Sequence, residues 1–124
     1  MKANPVGWFE IYVDDIERAK AFYEAVFEMK LENLNAPDES QMWAFPMAPD
    51  EKGSAGSLVY MNGVKAGGNS TIVYFSSEDC SVEEGRIEAA GGHVFKPKFS
   101  IGDYGFITLA FDTEQNMFGI HSRQ

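Results

Sequence analysis

Among 124 residues there is one cysteine, Cys80, so no intrachain disulfide can form, as is usual for a chain kept in a reducing cytosol. Basic residues are scarce: 10 Lys and Arg stand against 19 Asp and Glu, giving a formal charge of −9. Such an acidic chain repels phosphate backbones, which argues against a nucleic-acid partner. No apolar run approaches the roughly 18 to 20 residues of a membrane-spanning helix. The opening Met-Lys-Ala-Asn-Pro is not followed by the apolar stretch of a signal peptide. These absences predict a cytoplasmic protein with no membrane partner. What is present, 44% hydrophobic and 14% aromatic residues, suits a globular chain of one domain spanning 1–124.

Residues 6–31 (VGWFEIYVDDIERAKAFYEAVFEMKL) organise the rest. Side chains alternate along a strand, so Trp8, Glu10 and Tyr12 share one face and Phe9, Ile11 and Val13 the other. Asp14 is the expected helix N-cap, with Glu17 completing a variant of the capping box. Ile16, Ala19, Tyr23, Val26 and Phe27 then recur at helical spacing, which predicts a buried helix face laid over Phe9, Ile11 and Val13. Trp8, Glu10 and Tyr12 are left facing away, and a bulky aromatic beside a carboxylate points to a cavity there.

Downstream, residues 41–47 and 57–62 read as strands, with Asn33 to Ser40 a polar turn, 48–56 a hairpin loop and Asn62-Gly63 a turn. A flexible link at 64–69 leads to a strand at 71–75 and to a second helix, for which Ser81 and Glu84 form a capping box. That helix ends at Gly91-Gly92. Strands follow at 93–99, 106–111 and 117–122, with a loop at 101–105 and a turn at 112–115. The two halves share one grammar of strand, helix and three strands. FYEAVFEMKL at 22–31 overlies RIEAAGGHVF at 86–95 at an offset of 64, and the preceding strands align at about 63. Neither half holds enough apolar residues to close a core alone, so the halves are expected to pair.

The assembly of Val13-Asp14-Asp15 with Ala19 and Phe22-Tyr23, Ala89-Ala90-Gly91-Gly92, Pro97, Gly105, and Asp112-Thr113-Glu114 with Asn116 resembles the vicinal oxygen chelate superfamily of glyoxalase I, bleomycin-resistance proteins and extradiol dioxygenases. The resemblance covers roughly residues 5 to 122. It implies an α+β fold of two paired βαβββ modules, about 5–62 and 70–122, with mixed sheets curled round a cavity, in a homodimer. Members with metal chemistry place ligands on the first and last strands of each module. Here Trp8 stands at the first such position, Thr71 or Ser70 at the second-module counterpart, Gly119 at the glutamate position, and Ser57 or Val59 near the fourth. These side chains do not supply the nitrogen and oxygen set a divalent ion needs, so no metal cofactor is expected from the usual positions.

Glu10 lies two residues beyond Trp8, and His121 two beyond Gly119. Each shares a face with a missing ligand, so they form a candidate acid/base pair, or two ligands of a displaced divalent metal. The plainer alternative is a solvated carboxylate and a hydrogen-bonded structural imidazole. Trp8, Tyr12, Trp43 and Phe75 are candidate walls of an aromatic pocket, although core packing alone accounts for many aromatics in such a chain. Tyr104, in a glycine-flanked loop, is either a gate or a turn residue. His93 reads as a surface residue and Cys80 as a helix-start residue without a base. Three functions are in contention: a metal-independent binder of a small organic molecule, a lyase- or isomerase-type enzyme using Glu10 and His121, and an interaction domain. The absent ligands favour the first.

Overall fold

The computed structural model describes residues 4–36 and 39–124; Pro37 and Asp38 of the expected turn, and residues 1–3, lie outside them. The first module runs β1 (Trp8–Tyr12), α1 (Ile16–Phe27), β2 (Glu32–Asn33), β3 (Gln41–Ala44) and β4 (Ala55–Tyr60). The second runs β5 (Val73–Ser76), α2 (Cys80–Ile87), β6 (His93–Ser100), β7 (Phe106–Phe111) and β8 (Met117–Ser122), with a short 3-10 turn at Gly102–Tyr104. Two four-stranded sheets result, ordered β1-β4-β3-β2 and β5-β8-β7-β6. In each, the first strand pairs parallel to the last and the remaining neighbours are antiparallel. The expected α+β fold of two βαβββ modules is the fold observed.

Alternation along β1 behaves as the sequence requires. Ile11 and Val13 are buried beneath the helices while Glu10 is exposed and Trp8 retains 39% of its surface. α1 buries Ile16, Ala19, Phe22, Tyr23 and Val26; Phe22 joins the expected set and Phe27 is only half-buried. Both modules contribute to a single core, in which Val13, Phe22, Tyr23 and Leu58 of the first meet Ile87, Ala110, Phe118 and Ile120 of the second. At its centre the Phe118 ring lies 5.8 Å from Phe22, 5.7 Å from Tyr23 and 6.0 Å from Phe75.

The helix caps differ from the expected ones. Asp15, not Asp14, caps α1, accepting from the Arg18 N–H at 3.0 Å. Asp14 instead accepts from the Ala66 N–H of the link at 3.0 Å. Asp79 caps α2 by accepting from the Ser81 N–H, while Glu84 accepts from the Thr108 hydroxyl and the Lys98 N–H. A glutamate with partners on two neighbouring strands is unavailable for a capping box. Lys98, followed by Ser81, holds the Asp79 carboxyl down at about 2. With Asp15 and Asp79 in the same role, the modules superpose at an offset of 64 through the first strand as well as the helix, one more than the strand offset read from the letters.

The turn 112–116 fastens the modules together. Glu114 accepts from the backbone N–H groups of Asp14 and Asp15 at 3.0 and 2.9 Å and from the Arg18 guanidinium at 2.7 and 3.0 Å. The buried Tyr23 hydroxyl donates to Asp112 at 2.6 Å. Asn116 donates to the Tyr12 carbonyl at 2.9 Å and accepts from the Gly67 N–H at 2.7 Å. The edge of β1 and the link that passes it are thereby fixed relative to the second sheet.

Candidate functional site

β1 and β5 are both edge strands, each hydrogen-bonded on one side only. Residues from both line two clefts, which share Phe9 and Val73 as walls. One, of about 410 Å³, is bounded by Glu10, Tyr12, Asn116 and the link at Lys65 to Thr71. The other, of about 770 Å³, is bounded by Trp8, Met47, Tyr74, Phe75 and the 48–54 loop. Both volumes fall within the range that accommodates small organic molecules.

Glu10 lines the smaller cleft. The Trp8 indole N–H donates to its Oε2 at 3.3 Å, and the Tyr12 hydroxyl to its Oε1 at 2.8 Å. All three side chains project from one face of β1, as the alternation predicted. That hydrogen bond is the first cause, ahead of burial and the carboxylate's charge, of a Tyr12 phenol pushed above its ordinary 10.0. Directly across β4 in register with Glu10 is Ser57, which is fully buried. Among the described residues its hydroxyl is the buried side-chain polar atom without a hydrogen-bond partner.

The second module treats the corresponding positions differently. Tyr74, the counterpart of Glu10 at the offset of 64, pairs with Gly119 as Glu10 pairs with Ser57. A Cβ at Gly119 would fall 2.3 Å from the Tyr74 ring, so the glycine leaves room for the ring to lie on the sheet. Tyr74 remains 45% exposed and, like Trp8, lines the larger cleft. The same offset puts Ile72, rather than Thr71 or Ser70, opposite Trp8 in the module repeat. With Ile72 in place of the Thr71 or Ser70 first aligned there, the ligand positions hold an indole, an isoleucine, a serine and a glycine covered by a phenol ring. This donor set does not fit a divalent ion. Among the described residues no group of three or more His, Cys, Asp or Glu is placed to hold a metal.

The remaining candidates are dispersed. His121 lies on β8, and its Nε2 is 2.6 Å from the Tyr104 carbonyl, which obliges that nitrogen to carry the proton. His121 lines neither cleft, so these do not bring it together with Glu10. Tyr104 is 73% exposed in its 3-10 turn, away from both clefts beside β1. Trp43 points to the helix side of its sheet, packs against the core and carries the Lys20 ammonium 4.0 Å above its ring. Phe75 packs into the core, 4.6 Å from Phe27 and 5.4 Å from Phe45, and forms the floor of the larger cleft. Trp8 and Tyr12 stay beside Glu10. Tyr74 and Met47 were missed, and Ser57 was read only as standing near a sought ligand. A strand offset of 64 instead of 63 would have found Tyr74, because one residue of slip exchanges the two faces of a strand.

Residues 6–32 match the bleomycin resistance protein-like N-terminal family. No curated protein sequence matches the chain. Among solved structures, a maize glyoxalase I variant superposes with a TM-score of 0.76 at 21% identity, covering 96% of this chain and 46% of that one. The chain therefore spans about half the length of the maize enzyme. An antibiotic-binding protein from a Streptomyces species superposes with a TM-score of 0.74 at 21% identity, over 100% and 99% of the two chains. A glyoxalase/bleomycin resistance protein from Albidiferax ferrireducens does so with a TM-score of 0.68 at 21% identity, over 97% and 100%. The resemblance read in the sequence holds as a fold over nearly the whole chain and as a family match over residues 6–32.

Proposed function

We propose that this chain, with the glyoxalase/bleomycin-resistance fold and with residues 6–32 matching the bleomycin resistance protein-like N-terminal family, is a metal-independent binder of a small organic molecule. The observation that carries the reading is Tyr74 lying on Gly119. Where a metalloenzyme of this superfamily needs a carboxylate, this chain offers an aromatic wall in the cleft that Trp8 also lines. Two aromatic side chains, 39% and 45% exposed, lining a cleft of about 770 Å³ suit a flat apolar ligand. Similarity in fold to an antibiotic-binding protein of almost the same coverage is consistent with sequestration rather than turnover.

Trp8 provides the test. In a Trp43→Phe background it is the remaining tryptophan, so titration with a neutral two-ring probe such as 2-naphthol is expected to change its emission saturably. Tyr74→Ala should weaken that binding by about tenfold, the worth of one aromatic wall. Its exposure predicts an unchanged melting temperature. An emission spectrum indifferent to the probe up to millimolar concentration would reject the reading.

A further inference from the structure

Two rings that line the larger cleft, Phe9 and Tyr74, each lie over a glycine of the neighbouring strand. Phe9 is in register with Gly56 on β4 and Tyr74 with Gly119 on β8, where a Cβ would fall 2.4 and 2.3 Å from the ring. Neither glycine has a positive φ, so backbone conformation does not call for them. A glycine inside a strand costs stability, and it commonly marks a close approach. For Phe9 the core offsets that cost: its ring centroid is 5.8 Å from Phe45 and 6.3 Å from Phe75. Tyr74 has no such return. Among the described residues it has no hydrogen bond and no ring partner, and it is 45% exposed. Building on the binding function above, we propose that Gly119 is the specificity-determining residue of the larger cleft, holding Tyr74 as a stacking wall for a planar aromatic ligand.

The device depends on the edge position of β5. Its one hydrogen-bonded neighbour is β8, and residues on its open side line the clefts shared with β1. The Cδ2 and Cε2 atoms of Tyr74 occupy the space that a Cβ at position 119 would need, so the ring is laid over β8. A methyl group there pushes it off β8, either upright or across the open edge of β5. Laid over β8, the ring forms part of the wall of the cleft instead of filling it. A planar aromatic ligand gains from stacking on such a ring beyond the area it buries, whereas a saturated ring of similar size gains from the area alone. Trp8 and Met47 line the same cleft, so apolar binding as such survives the loss of this wall.

The test is calorimetric titration of the full chain with 2-naphthol and its saturated counterpart, decahydro-2-naphthol. The aromatic probe is expected to bind about fivefold more tightly. Gly119→Ala should weaken 2-naphthol about fivefold, leave the saturated alcohol within about twofold, and lower the melting temperature by about 2–6 °C. In the Tyr74→Ala background the same change should alter neither affinity and should not lower the melting temperature, because no ring remains to be displaced. A merely structural glycine would move the melting temperature without moving the ratio of the two affinities. Equal affinity for the two probes in the parent overturns selection by stacking and leaves an apolar cleft standing. An unchanged ratio in Gly119→Ala, or a loss that recurs in the Tyr74→Ala background, overturns the role of Gly119. Folding of Gly119→Ala only in the Tyr74→Ala background supports the proposal, since it is the same clash read through stability. Failure of both probes to bind overturns the proposal together with the aryl-binding reading on which it rests.

Discussion

Replacing Glu114 by alanine is expected to cost the fold about 3 kcal/mol, read as a fall in the denaturant midpoint at an unchanged slope. The residue is only 2% exposed and accepts from two backbone N–H groups of the first module, at Asp14 and Asp15, as well as from Arg18. Alanine leaves those N–H donors at the mouth of α1 without an acceptor, which is the expensive part; the half-exposed Arg18 is re-solvated. Glutamine, which keeps one acceptor oxygen, should cost less than half as much.

The same carboxylate predicts an acid limb. Burial pushes the Glu114 carboxyl up, but bonds from Arg18, Thr113 and the Asp15 N–H outweigh it and leave it below its ordinary 4.5. A group whose value is lowered on folding stabilises the native state above its unfolded value. That stability is lost as pH falls from about 4.5 through the lower native value. Asp112 has the opposite sign: burial raises it above its ordinary 3.8 despite the Tyr23 bond, so its contribution is largest when protonated and fades as pH rises through the native value. Melting temperature followed from pH 6 to pH 3 should therefore fall less steeply in Glu114→Gln than in the parent. A steeper fall in the variant would contradict the assignment of the acid limb to Glu114.

The dependence of local choices on distant partners explains where the sequence was and was not legible. β7 and β8 lie at 106–111 and 117–122 as read, because long alternating runs bounded by a polar turn leave few other registers. The repeat of strand, helix and three strands was equally plain, since it rests on many residues at once. The helix caps were displaced because two aspartates in succession, Asp14 and Asp15, compete for one role. The contest is settled by Ala66 and Glu114, the latter 100 residues away from Asp14. β4 begins at Ala55 rather than 57 because Gly56 accepts the Phe9 ring against its Cα: a Cβ there would fall 2.4 Å from the ring. The Glu10 face was readable from alternation alone. Tyr74 was not, since a choice between offsets of 63 and 64 inverts a four-residue strand. Ser57 gave no sign beyond its place near a sought ligand, because an unsatisfied hydroxyl is a property of the packed sheet.

Phe118→Ala is the second large effect, with an expected cost of about 3–5 kcal/mol for removing a fully buried phenylalanine. Phe118 is 1% exposed and belongs to the second module, yet its ring meets Phe22, Tyr23 and Phe27 of α1 as well as Phe75. Total stability for a domain of 124 residues is on the order of 6–19 kcal/mol, so the loss is a large fraction of it. Because both modules bury their apolar faces in the same cluster, the cavity weakens both at once. Melting followed by tyrosine absorbance and by Trp43 fluorescence, a probe in the first module, should shift together by about 10 °C or more. Two separated transitions would show that the modules are held by the Glu114 and Asn116 bonds alone. A coincident shift would mean that the clefts beside β1 exist only while both halves share one core, and that ligand binding at the β1 edge stabilises the whole chain rather than one module.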